Sequence, residues 1–385
     1  MITFGERGET VKEFSVGIKD RLRQLDFIIL ICAVGMSVLS VMILWGCSEL
    51  VGSRRMIVQS AAAFLGLIVM VSVSLVDYDA ILSRFSIHLF VISVVLLLSV
   101  LVFGTSNDMG NKSWINIPVI NLDVQPSEFV KIIFICTFAK HIDRVKADIN
   151  KITNVLQLAV HALIIFGCVM LSGDLGSALV FLAIVAVMLF CAGLSLWYFA
   201  ALLVIAAIAA PILWPHLSEY QQMRIIVGFN PEIDPDHWGY QALLSRKAIV
   251  AGGFRGAGLF GGSVYKTLPV ATSDFIFAVL CEKLGFFGAF TYILLNCTMV
   301  IRLIWLARVA RKDYGALICA GVAALLIAQT LENIGMCLAM LPVVGITLPF
   351  MSYGGSSMLS LYTCLGLIMS ISTHNKKYYF ERESA

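Results

Sequence analysis

The sequence predicts an all-α polytopic membrane protein with ten transmembrane helices and a large extracytoplasmic loop before the eighth. Three observations carry that prediction. Only 13% of the 385 residues are charged and 59% are apolar, where a soluble domain carries about 25% charged residues. The mean hydropathy is +0.92. Apolar runs also recur at the length, about 20 residues, that a helix needs to cross roughly 30 Å of hydrocarbon. Nine prolines and the lack of a fixed-period repeat exclude disordered, collagen-like and solenoid chains. A net charge of +3 is too small to imply nucleic acid as a partner.

The expected spans are 27–46, 57–76, 86–104, 126–140, 154–172, 174–193, 195–214, 274–304, 314–341 and 350–373. The fifth to seventh are separated only by Gly173-Asp174 and Gly193-Leu194-Ser195. An even count puts both termini on one side, and the Lys/Arg bias makes that side cytoplasmic. Most of the 27 Lys and Arg then lie inside, in clusters at Arg7–Arg23, Lys140–Lys151, Arg302–Lys312 and Lys376–Arg382. Arg54 and Arg55 are the clearest exceptions. The domain reading follows: 1–25 is a cytoplasmic N-terminal segment, 26–373 a membrane domain containing extracytoplasmic loop 215–273, and 374–385 a cytoplasmic tail. The first twenty-five residues are polar and lead into an apolar run with no small-residue cleavage site, as expected of a retained first helix. All ten cysteines but Cys47 lie inside apolar runs and read as packing residues.

Ionisable residues in membrane helices cost a few kcal/mol on insertion scales and mark candidate sites. Glu128 and Lys131, in Gln125-Pro126-Ser127-Glu128-Phe129-Val130-Lys131, share a helix face at i, i+3. They read either as a functional pair or as an ion pair locking two helices. Pro126 and Ser127 suit a helix start. Asp174 precedes an apolar helix and fits an N-cap. Asp274, in Thr272-Ser273-Asp274-Phe275, closes the one outer segment long enough to fold over a substrate, although it too could be a cap. Glu282, two turns on, shares roughly its face and suggests a polar column into the bundle, while Glu332 and Asn333 lie deep in the ninth span.

Within the outer segment, 224–240 is a Pro/Asp-rich loop and 240–251 an amphipathic helix carrying Gln241, Ser245, Arg246 and Lys247. Gly252 to Gly262 follows, with Arg255 inside it and Lys266 beyond. Its glycines would let backbone N–H groups approach an anion, or simply form a flexible loop. Leu348 to Ser357 supplies a second polar, Gly-rich element at the entry to the last span, tolerable at that depth only if buried in protein or lining a wet cavity.

Taken together, Trp114-Ile115, Gln125-Pro126-Ser127-Glu128, Asp174-Leu175-Gly176-Ser177-Ala178, Gly239-Tyr240-Gln241, Ser273-Asp274-Phe275-Ile276-Phe277-Ala278, Glu282-Lys283-Leu284-Gly285, Asn333-Ile334-Gly335-Met336 and Leu348–Ser357 resemble the SEDS family of cell shape, division and sporulation proteins (RodA/FtsW/SpoVE). The resemblance runs from the first span to the last. It implies a ten-helix, multi-pass protein of the bacterial cytoplasmic (inner) membrane, a peptidoglycan glycosyltransferase that polymerises lipid II for elongation, division or sporulation beside a class B penicillin-binding protein. It also implies that Asp274 is the essential, catalytic aspartate and that Glu128 and Lys131 flank a central cavity. Several positions depart from the family pattern. The Pro-Glu-x-His-Thr-Asp string is Pro269-Val270-Ala271-Thr272-Ser273-Asp274, Ser113 replaces a typical arginine beside Lys112, Ser172-Gly173 precedes Asp174, and Ala248 to Gly253 varies a glycine motif. The sequence thus resembles a divergent member.

Polymerisation requires a sugar hydroxyl to attack an anomeric carbon while a lipid pyrophosphate leaves, aided by a carboxylate base and by cations. Asp274 is therefore the candidate base, or part of a site for a divalent cation such as magnesium. Lys131, Arg246, Lys247 and Arg255 are candidate phosphate contacts; Glu128, Ser352, Tyr353, Gly354 and Gly355 complete the substrate-binding set, with Gln125, Pro126, Ser127, Asp174, Gln241 and Glu282 in support. Two alternatives remain: a flippase for a lipid-linked sugar, against which the lack of inverted repeats argues, and an inactive scaffold for the transpeptidase, consistent with the missing Glu and His before Asp274.

Overall fold

The computed structural model describes residues 25–106, 112–117, 122–216 and 219–383. The expected N-terminal segment and its basic cluster, Arg7 to Arg23, lie outside the described residues, as do Gly110, Asn111 and the last two residues of the tail. Helices α1 (Phe27–Gly46), α2 (Ser53–Leu75) and α3 (Tyr78–Phe103) come first, followed by α4 (Pro126–Val145), α5 (Ile152–Leu171), α6 (Leu175–Cys191) and α7 (Leu196–Leu213). Two shorter helices, α8 (Glu219–Phe229) and α9 (Tyr240–Gly252), precede α10 (Ile276–Val309), α11 (Asp313–Cys337) and α12 (Gly355–Glu383).

Among the described residues, seven helices are long and apolar enough to cross a membrane: α1, α2, α3, α5, α10, α11 and the Gly355–Thr373 part of α12. Helix α6 and the Leu196–Ile212 part of α7 are apolar but shorter, and α4 carries Glu128, Lys131, Lys140, Asp143 and Arg144. Several helices start away from the ends of their apolar runs. Helix α3 begins at Tyr78 rather than 86 because Asp77 caps it, accepting from the N–H groups of Asp79 and Ala80. Hydropathy marks contact with lipid, whereas helix ends are set by where backbone groups find caps.

The all-α expectation needs one correction. Between α3 and α4, β1 (Thr105–Ser106), β2 (Lys112–Ile117) and β3 (Leu122–Val124) form a small antiparallel sheet in the order β1-β2-β3. The alternation Trp114-Ile115-Asn116-Ile117 suits a strand, but six residues are a faint signal beside runs of twenty. Lys112 N donates to Ser172 O at 3.2 Å, tying the sheet to the α5–α6 turn.

Small residues set the closest packing. Helix α12 lies along α2, where a Cβ at Gly66 would meet the Tyr362 ring, with its Cγ at 2.9 Å. Close approach through glycine is the usual way membrane helices gain van der Waals contact. Helix α10 packs on α11 and α1, and α11 on α6 and α4. Asp26 both caps α1 and accepts from Arg302 Nε of α10 at 2.7 Å.

The Gly-rich stretch is explained by a break in α10 rather than by an anion. Gly285 has φ 63 and ψ −157, which splits the helix. The freed backbone groups are taken by the loop: Ala257 N donates to Glu282 O, Gly258 N to Lys283 O, and Phe286 N to Gly253 O, at 2.9 to 3.0 Å. Gly256, at φ +74, would drive a Cβ into the carbonyl of Lys283. Gly256→Ala should therefore lower stability by about 2 kcal/mol, combining left-handed strain with a steric clash, and read out as a lower melting temperature in detergent. An unchanged melting temperature would contradict this packing.

Candidate active site

The two charges after Asp274 do not form the expected polar column. Glu282 is 1% exposed and accepts from the backbone N–H groups of Ser263, Val264 and Tyr265 at 2.7 to 2.9 Å, while Lys283, at 0%, donates to the carbonyls of Gly46, Leu259 and Gly261. Sequence spacing placed Glu282 on the Asp274 face as if one helix ran through both. Helix α10 begins only at Ile276, so that register does not hold. Both charges instead shape the outer segment, turning it so that it returns toward α10 at Asp274.

Asp274 is held by its backbone from two sides. Asn333 Nδ2 on α11 donates to Asp274 O and to Ile346 O, both at 2.7 Å. The Leu348–Ser357 loop supplies the other side: Ser352 Oγ donates to Ser273 O at 2.5 Å, and Tyr353 N donates to Thr272 O at 2.9 Å. That loop is itself fixed by Gln59 of α2, whose Nε2 donates to Ser352 O and whose Oε1 accepts from Gly354 N. The carboxylate lies against Gly345, where a Cβ would come within 3.2 Å of Oδ2. It is half-buried, and burial pushes its pKa up to about 6, opposed by a hydrogen bond from Ser273 and reinforced by the charge of Asp174.

Arg55 stands beside this turn, donating from Nη1 to Thr272 Oγ1 at 2.5 Å and lying 5.3 Å from the centre of the Tyr353 ring. In the sequence, Arg55 stands out only as an exception to the Lys/Arg bias. Its breach of the Lys/Arg bias was the signal of a local role. Gln59, fully buried in an apolar run, was missed for want of any motif.

A second cluster joins the starts of α4, α6 and α12. Asp174 caps α6 by accepting from Ser177 N at 2.9 Å, and also accepts from Gln125 Nε2 at 2.8 Å and Ser127 Oγ at 3.5 Å. Pro126 occupies the first turn of α4. Lys131 Nζ donates to Glu128 Oε1 at 2.7 Å, and Ser360 Oγ donates to Glu128 Oε2 at 3.4 Å. Gly355 opens α12. Glu332 Oε2 is buried, has no hydrogen-bond partner among the described residues, and lies within the electrostatic reach of Lys131 and Asp174. Since Asp174 also acts on Asp274, the two clusters share one polar region.

The remaining candidates divide. Arg246 Nε donates to Leu338 O and Ser245 Oγ to Cys337 O, each at 2.8 Å, which places α9 over the end of α11 near Asn333. Gln241 lines a cavity of about 230 Å³ with Arg224, His237, Trp238 and Val343. Lys247 and Arg255 are exposed, and among the described residues neither bonds to the Asp274 turn. Nor do the described residues offer any group of three His, Cys, Asp or Glu able to hold a metal ion.

The family model for FtsW/RodA/SpoVE cell cycle proteins matches residues 23–377. The chain belongs to that family. Among its relatives, peptidoglycan glycosyltransferase MrdB of Escherichia coli K12 is 32% identical over 360 residues, covering 91% of this chain and 94% of that protein. Probable peptidoglycan glycosyltransferase FtsW of Coxiella burnetii is 36% identical over 293 residues, covering 74% and 77%. A chain solved in a peptidoglycan synthase complex that coordinates polymerization and crosslinking superposes with TM-score 0.79 at 26% identity, over 91% of this chain and 98% of that one. The rod shape determining protein RodA of Thermus thermophilus has the same fold, with TM-score 0.67 at 24% identity, over 90% and 96%. This family member is thus a multi-pass membrane protein.

The support of Asp274 makes a prediction for this member. Ser352→Ala removes the hydroxyl that bridges Leu348 N and Ser273 O. It should lower turnover about tenfold, with KM and the pH midpoint unchanged, because one buried hydrogen bond contributes about 1 to 1.5 kcal/mol of positioning. Steady-state kinetics on lipid II would test it, and a raised KM with unchanged kcat would assign Ser352 to substrate binding instead.

Proposed function

We propose that the protein polymerises lipid II into glycan strands, with Asp274 as general base. The observation that carries this reading is a carboxylate with its pKa raised to about 6 and its backbone held from two sides, in a turn that Arg55 joins through Thr272. The acceptor sugar hydroxyl gives its proton to Asp274 as its oxygen bonds to the anomeric carbon of the donor. The anomeric bond to the pyrophosphate breaks and its electron pair leaves with that group. In this reading Arg55 and Arg246, with Lys131 deeper in the polar region, offset the growing phosphate charge. The curated relatives named peptidoglycan glycosyltransferases support the reading. We assign the ten long helices to ten crossings, with 215–273 and Asp274 on the outer face of the bacterial inner membrane, both termini cytoplasmic, and domain limits at 25/26 and 373/374. A class B penicillin-binding protein is the proposed partner, to cross-link the strands.

The test is purified protein in detergent or vesicles with lipid II, read as glycan product. Lack of product from a folded protein, with or without its transpeptidase, would overturn the activity. The pH profile carries a sign. A base works deprotonated, so kcat should rise with pH through about 6 and level off above it. A rate that falls over that interval would mean that the group acts as an acid.

A further inference from the structure

A cavity of about 480 Å³ lies at the other end of the bundle, lined by Ser86, Ile87 and Phe90 of α3, Thr137, His141 and Arg144 of α4, and residues from Leu156 to Ile164 of α5. Arg144 is about 24 Å along α4 from Glu128 at about 1.5 Å per residue, so this cavity is separate from the Asp274 region. Its walls are largely apolar and open to the outside of the bundle: Ile87, Leu156, Val160 and Ile164 are exposed. Its floor and mouth are polar. His141 Nδ1 and His161 Nδ1 are 3.0 Å apart, sharing a hydrogen bond, and Arg144 Nη2 donates to Ser86 Oγ at 3.1 Å.

Charge selects the ligand. The lysines nearby are matched: Lys140 with Asp143 at 3.8 Å, Lys146 with Asp313 at 2.5 Å, and Lys151 with Asp148 at 2.9 Å. Among the described residues Arg144 has no carboxylate within ion-pair distance. A guanidinium without a counter-ion at the mouth of an apolar, laterally open cavity suits an amphipathic anion, because phosphate oxygens satisfy its planar fork. We propose that this cavity binds an anionic glycerophospholipid of the leaflet opposite Asp274, its phosphate on Arg144 and one acyl chain between α3 and α5. The proposal requires only that the protein sits in a bilayer, and is independent of its chemistry at Asp274.

The test uses the full chain reconstituted in phosphatidylcholine vesicles containing a photo-reactive phosphatidylglycerol, with labelled peptides mapped by mass spectrometry. Label is expected on peptides holding Ile87 and Leu156–Ile164, displaced by unlabelled phosphatidylglycerol. Arg144→Gln should reduce that label about tenfold, as expected for loss of a charge-assisted bidentate contact. Leu156→Trp, which fills the cavity without altering charge, should reduce it as well, and keeps the test valid if Arg144→Gln fails to fold. Equal labelling by a photo-reactive phosphatidylcholine, or unchanged labelling in variants that melt like the parent, would overturn the proposal. Displacement by inorganic phosphate or an isoprenoid phosphate as effective as by phosphatidylglycerol would overturn the assignment to a glycerophospholipid.

Discussion

Asp274→Asn should reduce lipid II polymerisation by about a thousandfold while the protein folds and melts as well as the parent. The size follows from general base catalysis, which contributes about a hundredfold to ten-thousandfold. The preserved fold follows from how the residue is held. Its structural contacts with Asn333 and, one residue earlier, with Ser352 run through main-chain carbonyls that asparagine retains. The stability sign points the same way. With its folded pKa about 6 against an ordinary 3.8, the ionised carboxylate is disfavoured in the folded state, so its contribution to stability falls as pH rises through that interval. Removing the charge at neutral pH therefore relieves a burial cost and leaves melting unchanged or slightly raised. Asparagine polymerising at the parental rate would remove Asp274 from the chemistry. Loss of melting cooperativity in the same variant would instead recast it as a structural residue.

The second large effect is expected at the Glu128–Lys131 pair. Lys131 is 0% exposed and Glu128 4%, joined at 2.7 Å. Lys131→Met should destabilise the protein by about 3 to 5 kcal/mol, because it leaves Glu128 buried without its counter-charge. The double variant Glu128→Gln, Lys131→Met should recover most of that loss, since two neutral groups carry no uncompensated charge. Denaturant or thermal unfolding in detergent measures the cycle. Activity then separates the two meanings of the pair: a double variant that is stable and still polymerises makes it a lock between α4 and α12, to which Ser360 attaches it. One that is stable but inactive makes Lys131 a substrate contact.

What could be read along the chain, and what could not, differs from element to element. Among the described residues, the seven helices long and apolar enough to cross a membrane each overlap an expected apolar run, because burial in lipid needs only local composition. Asp174 was legible as a cap because capping is local, and the structure adds its bonds to Gln125 and Ser127. Glu282 was placed wrongly because its face was counted through a helix that starts after Asp274. The Gly-rich stretch left anion binding open, and it is the break at Gly285, a contact across sequence, that gives those glycines their purpose. Arg55 reaches the Asp274 turn, and Gln59 the Ser352–Gly354 loop that supports it, from a helix more than two hundred residues away, a distance no motif spans.

Composition and periodicity thus decide the solvent, the helices and the identity of the few charges worth attention, all of which depend on neighbours in sequence. Which of those charges face one another, that Asp274 is held by Asn333 and Ser352 while Glu282 and Lys283 serve the loop, and that Arg144 is left at the mouth of a cavity, depend on the folded chain. Hydrogen bonds and ion pairs act over a few ångströms in space, and those separations exist only once the helices have packed.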